Sequence, residues 1–118
     1  MGKLRVLFHV NEVDRWDVAI GNIVNLIKDA GVDNVDVVVL ANGPSVAAYV
    51  DAEKVAAMKG LSEKGAKFFA CGNSLKKMCS EGSVCISEEN LPSFVTVVPA
   101  GITEIIKKQH EGYAYVKP

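Results

Sequence analysis

The chain has 118 residues, 49% of them apolar and 23% charged, and its 13 lysines and arginines against 14 aspartates and glutamates give a formal net charge of −1. That size and apolar content describe one domain over residues 1–118, with a core of ordinary extent and no room for a second. Charges of both signs are interspersed, so the basic stripe that nucleic-acid binding requires is missing and nucleic acid is disfavoured as a partner.

Met1-Gly2-Lys3-Leu4-Arg5-Val6 runs directly into an alternating strand. It has no secretory apolar region, and Val6 stands where a myristoylation signal needs Ser or Thr. No apolar run approaches the roughly 18 residues that cross a bilayer, so no membrane is expected and the cytoplasm is the expected compartment. There Cys71, Cys79 and Cys85 are expected to be reduced, and three is an odd count for a disulfide framework.

The first strand is Leu4 to Val10, with His9 next to last. Trp16, Ile20, Ile23, Ile27 and Ala30 then recur at intervals of three and four opposite Asn22, Asn25 and Asp29, and Gly31 stands where a helix C-cap belongs. Trp16 reads as core or subunit contact. Val35 to Leu40 is a second strand, nearly unbroken in valine as if covered on both faces, and Asn42-Gly43 follows as a turn. Ala52, Val55, Met58 and Leu61 form a second helical stripe between Asp51 and Gly65. Ala66 to Ala70 is a third strand, followed by a short helix from about Asn73 to Ser80 that buries Leu75 and Met78. Phe94 to Val98 is a fourth. Pro99-Ala100-Gly101 opens a last helix marked by Ile102, Ile105 and Ile106, and after Gly112 comes a short fifth strand, Tyr113 to Val116.

Strand and helix in strict alternation predict an α/β fold with a parallel or mostly parallel sheet and helices on both faces. Ligands of such sheets bind outside the carboxyl ends of the strands. The groups falling there are His9 and Asn11, Asn42-Gly43-Pro44, Cys71 to Ser74, and Pro99-Ala100-Gly101. No Gly-x-Gly-x-x-Gly, Gly-Lys-Ser/Thr or Cys-x-x-Cys is present, so no nucleotide cofactor is expected. Cys79 and Cys85 with His9 or His110 match no regular ligand spacing, so no metal is expected either.

Cys71 ends a buried strand and turns at once into a helix, where free backbone N–H groups stabilise a thiolate. It reads equally as a small apolar residue closing the core. His9 is a hydrogen-bonded structural residue or, if it faces Cys71, a cation that lowers the thiol pKa. Ser74 has the side chain for capping the helix or for binding a small anion. Cys71 and Cys79 are eight residues apart, roughly 12 Å of helical rise, and cannot bridge. Cys79 has no N-terminal amides to support a thiolate, and Cys85, between Val84 and Ile86, is expected in an apolar setting that raises its pKa.

The Phe-His-Val first strand, the helix with Asn22 and Asn25, Asn42-Gly43-Pro44, Ala70-Cys71-Gly72-Asn73-Ser74-Leu75 and the stretch from Val97-Val98-Pro99-Ala100-Gly101 through Gln109 and Glu111-Gly112-Tyr113-Ala114-Tyr115 occur in one order. In that order and spacing, over nearly the whole chain, the sequence resembles the small DsrE/DsrF-like proteins, which include the YchN-like proteins and are related to the TusD-type sulfur carriers. The resemblance implies a three-layer α/β/α sandwich with a five-stranded sheet, assembled into homotrimers or hexamers. In sulfur-carrying members a cysteine after the third strand holds sulfur as a persulfide, and Cys71 matches that position.

Two readings follow. In one, Cys71 carries sulfane sulfur from a donor protein to an acceptor protein, with His9, Asn42, Gly72, Asn73 and Ser74 contacting the substrate. In the other, the chain is a non-catalytic oligomeric module that binds a small ligand or a partner at the strand edge, and Cys71 is merely packed.

Overall fold

The valine-rich run Val35–Ala41 is β2, the middle strand of a five-stranded sheet, in a computed structural model that describes residues 2–118. All but one of its side chains are buried, because both faces of a central strand are covered. β1 is Leu4–Val10, β3 is Lys67–Cys71, β4 is Val95–Val98 and β5 is Ala114–Val116. The order across the sheet is β4-β3-β2-β1-β5, and every neighbouring pair is parallel.

Four helices connect the strands: α1 Trp16–Ala30, α2 Ala52–Glu63, α3 Gly72–Ser80 and α4 Gly101–His110. The first three crossovers step the same way across the sheet, and right-handed crossovers of one sense put their helices on one face. Trp16, Ala19 and Ile23 of α1, Met58 and Leu61 of α2 and Leu75 of α3 accordingly share one core with Val6, Phe8, Val37, Val39, Phe68 and Ala70. The β4-to-β5 crossover runs back over the sheet, so α4 lies alone on the other face. There Ile105 packs on Leu7, Val38, Leu40 and Val98. Three layers result, as the alternation of elements predicts.

The elements end where the sequence provides stops. Asp51 Oδ1 accepts from the Glu53 and Lys54 amides at 3.0 and 3.2 Å and starts α2. Gly31 ends α1 with φ +95°, a conformation that suits glycine, while its amide donates to the Ile27 carbonyl at 2.9 Å. The expected edges are corrected at four strands, β2 first, which runs one residue further to Ala41. β3 begins at Lys67 and takes in Cys71, which pairs with Val98, while β4 begins at Val95 and β5 at Ala114. A 3-10 stretch over Gly43–Val50 fills the expected loop after β2.

The two faces are unequally covered. With one helix on its side of the sheet, α4 leaves Ile102 63% and Ile106 49% exposed, although all three isoleucines mark the helix in sequence. Lys108 covers part of this face, its ammonium 5.9 Å from the Phe69 ring centre and 5.3 Å from that of Tyr113. No helix among the described residues is long and apolar enough to cross a membrane.

Candidate functional site

β3 feeds α3 on one face and β4 feeds α4 on the other, so a crevice opens between the carboxyl ends of these two adjacent strands. Cys71 stands in that crevice as the last residue of β3 and the residue that precedes α3. It is 5% exposed. From 30 residues further along the chain, the first amide of α4 reaches it, and Gly101 N–H donates to Cys71 Sγ at 3.3 Å. Two helix N-termini therefore converge on one sulfur.

Burial pushes the Cys71 thiol up. Against it act hydrogen bonds from the Ser74 hydroxyl, the Gly101 amide and the Ser74 and Asn73 amides, and together they leave the thiol below its ordinary range. Ser74 is itself held in place, because its Oγ accepts from the Gly43 amide at 2.7 Å and keeps its proton for the sulfur. The hydroxyl thus serves the thiolate instead of capping α3, which has no side-chain cap.

Gly101 is closely hemmed in. A Cβ there would lie 3.2 Å from Cys71 Cβ and 3.2 Å from Leu40 Cδ2. We expect Gly101→Ala to destabilise the fold by about 1–3 kcal/mol, the range for overpacking a filled core, and to slow alkylation of Cys71 by displacing the amide. Urea denaturation alongside alkylation kinetics checks both effects. Unchanged values for the two would remove Gly101 from the site.

His9 lies at the same edge but is engaged elsewhere. Its Nε2 donates to Asn42 Oδ1 at 2.8 Å, and in the neutral ring Nδ1 accepts from the Tyr115 hydroxyl at 2.6 Å. Cys71 is shifted by burial, Ser74, Gly101 and Asn73, and His9 is not among these groups. Asn42 stands between the two, its Cβ 3.5 Å from where a Cβ on Gly101 would fall. Ser45 holds that loop. It is fully buried, and its hydroxyl proton is shared between the Val10 and Asn42 carbonyls at 2.6 and 2.7 Å.

Cys71, Asn73 and Ser74 thus form one unit, and His9 with Asn42 a neighbouring one. Gly72 closes the strand–helix turn, where a Cβ would come within 3.1 Å of the Val98 carbonyl oxygen. Ser45 is a site residue that the motifs do not announce, while Gly101 and Tyr115 lie within the quoted motifs but without the partners found here. The cue to Gly101 is its place after a strand at the head of a helix, which puts it at the ligand-binding edge but does not show that its amide meets Cys71.

Beside Ser74 opens a cleft of about 220 Å³ between the 3-10 stretch and α3, walled also by Gly43, Pro44, Lys77, Met78, Glu81 and Ser83. It is smaller than the roughly 300–1,000 Å³ of drug-sized ligand sites and suits a small molecule or one inserted side chain. Among the described residues no group of three or more His, Cys, Asp and Glu is placed to hold a metal.

The expectation of three reduced cysteines is corrected. Cys79 and Cys85 form a disulfide with α-carbons 4.3 Å apart, and among the described residues Cys71 is the one free cysteine. An odd total does not prevent two cysteines from pairing when a turn at the end of a helix brings them together. Nor is Cys85 in an apolar setting, since it is exposed, as is Val84 beside it.

The model of the DsrE/DsrF-like family matches residues 20–118. Among solved structures the chain is similar to a protein of unknown function, MTH1491 from Methanobacterium thermoautotrophicum. The two are 30% identical, the match covers 98% of this chain and 100% of that one, and the TM-score is 0.83. No curated protein matches.

Proposed function

The chain belongs to the DsrE/DsrF-like family, and on that premise we propose that it is a sulfur carrier of the sulfurtransferase-like kind, with Cys71 as the carrying residue. The observation that supports this reading is the set of hydrogen bonds from Ser74, Gly101 and Asn73, which favours the charged form of the one free thiol.

As a thiolate, Cys71 attacks the outer sulfur of a donor persulfide, R–S–SH. A sulfur–sulfur bond forms to Cys71, the donor's sulfur–sulfur bond breaks, and the donor leaves as R–SH carrying the proton. The Cys71 persulfide anion keeps the hydrogen bonds that held the thiolate. An acceptor thiolate then takes the outer sulfur and returns Cys71 to its starting form. The donor and acceptor are proteins of a sulfur relay, and His9, Asn42 and Gly72 line the approach to the sulfur. The exposed Ile102 and Ile106 of α4 support a homo-oligomer, a trimer or hexamer, and the cytoplasm is the compartment that suits the chemistry.

The test is exposure of the folded protein to inorganic polysulfide, followed by alkylation and mass-spectrometric mapping. We expect one additional sulfur on Cys71 and none in Cys71→Ser, with the assembly retained. Sulfur uptake undiminished in Cys71→Ser, or a Cys71 that takes none, would leave the chain a ligand-binding module.

A further inference from the structure

The Cys79–Cys85 bond closes a ring that holds no buried residue. Leu75 and Ile86, the core residues on either side, lie outside it, while both cysteines are exposed. Within the ring the chain reverses at Gly82, φ +77°. The turn is held by the Glu81 amide on the Lys77 carbonyl at 3.0 Å, the Gly82 amide on the Cys79 carbonyl at 3.1 Å and the Ser83 amide on the Met78 carbonyl at 3.1 Å. Such hydrogen bonds at an exposed turn open readily when nothing else confines them. Glu81 and Ser83 line the cleft at the far end of α3 from Ser74, which lines it near Cys71.

We propose that Cys79 and Cys85 are a reversible thiol–disulfide exchange pair, a second thiol site of this protein, and that their bond latches the Glu81–Ser83 wall of the cleft. The reductant is a low-molecular-weight thiol. Its thiolate attacks one exposed sulfur, the Cys79–Cys85 bond breaks, and the other cysteine leaves as a thiolate and takes up a proton. A second reductant thiolate attacks the mixed disulfide and releases the first cysteine. Two reductant thiols become one disulfide, and the protein gains two electrons and two protons. The reverse reaction with a small disulfide is favoured by the turn, which keeps the two cysteines neighbours.

This inference does not rest on sulfur carriage, and its readouts leave Cys71 aside. The full-length protein is incubated with millimolar glutathione without denaturant, trapped with N-ethylmaleimide and mapped, and amide hydrogen exchange is measured before and after. We expect label on both Cys79 and Cys85 with an unchanged far-ultraviolet circular dichroism spectrum. Exchange at Gly82 and Ser83 should rise about tenfold or more while β2 stays protected, and glutathione disulfide should restore the starting state. The C79S/C85S double variant should exchange like the reduced protein. A disulfide that yields only in denaturant, or whose loss unfolds the chain, would make the bond a structural staple and overturn the exchange site. Equal exchange at Gly82 and Ser83 in the two states, or in the double variant and the oxidised protein, would overturn the latch.

Discussion

Trp16→Ala should lower the stability of the fold by about 3–5 kcal/mol, the range for removing a large aromatic side chain from a filled core. Trp16 is 0% exposed. Its ring meets Tyr49 edge-on at 5.5 Å and stacks on Phe68 at 6.4 Å, so one side chain joins α1, the 3-10 stretch and β3. Its Nε1–H donates to the Ser45 carbonyl at 2.9 Å, within the loop where the Ser45 hydroxyl holds Asn42. Against a total stability of about 5–15 kcal/mol for a domain of this kind, that loss is about a fifth or more. Trp16→Phe refills most of the volume and loses the indole donor, and should cost about 1–3 kcal/mol. Urea denaturation of the two variants separates packing from the hydrogen bond. A loss under about 1 kcal/mol in Trp16→Ala would show that the three elements are held together by something else.

Ser74→Ala should slow alkylation of Cys71 near neutral pH by about three- to tenfold. A hydrogen bond to a charged group contributes about 1.5–3 kcal/mol, and about 1.4 kcal/mol is a factor of ten in the thiolate population. The gain in intrinsic nucleophilicity as the thiol becomes more basic offsets about half of that exponent, which leaves the smaller figure. Ser74→Thr, which keeps a hydroxyl donor, should lose less. The accompanying pH dependence has a definite sign. Because the folded thiol titrates below the unfolded one, Cys71 contributes stability that is present above the unfolded value and lost as pH falls through the folded one. Stability should therefore gain from Cys71 as pH rises between the folded value and the unfolded value of about 8.5, and Cys71→Ser should remove that slope. An alkylation rate indifferent to Ser74→Ala would mean that the hydroxyl does not serve the sulfur.

Much of the scaffold is legible in the order of residues. The valine run is the central strand, the three-and-four spacing of Trp16, Ile20, Ile23 and Ile27 is α1, and Phe68-Phe69-Ala70-Cys71 is a strand that ends on the sulfur. These are local patterns, and local backbone geometry obeys them. What escaped is set by contacts between distant segments. The Gly101 amide reaches Cys71 only because β4 lies beside β3 and sends its helix to the opposite face, a fact of strand order. Ser45 sits in an apolar run and shows its role only when Val10 and Asn42 offer it their carbonyls. His9 is recognisable as an edge residue, yet its partners Asn42 and Tyr115 lie 33 and 106 residues away. Cys79 and Cys85 are close in sequence, but only the turn at Gly82 brings them together. The exposed Ile102 and Ile106 fit the helical period of α4, and periodicity alone does not say that one of its faces lacks a partner within the chain.

The pH profile of Cys71 alkylation in the folded wild-type chain, with the Cys79–Cys85 bond intact so that a single thiol reports, tests the account most directly. The hydrogen bonds from Ser74, Gly101 and Asn73 predict a midpoint below the ordinary cysteine value of about 8.5 and appreciable reaction near neutral pH. A midpoint at or above that value, or a Cys71 that reacts only after denaturation, would contradict it.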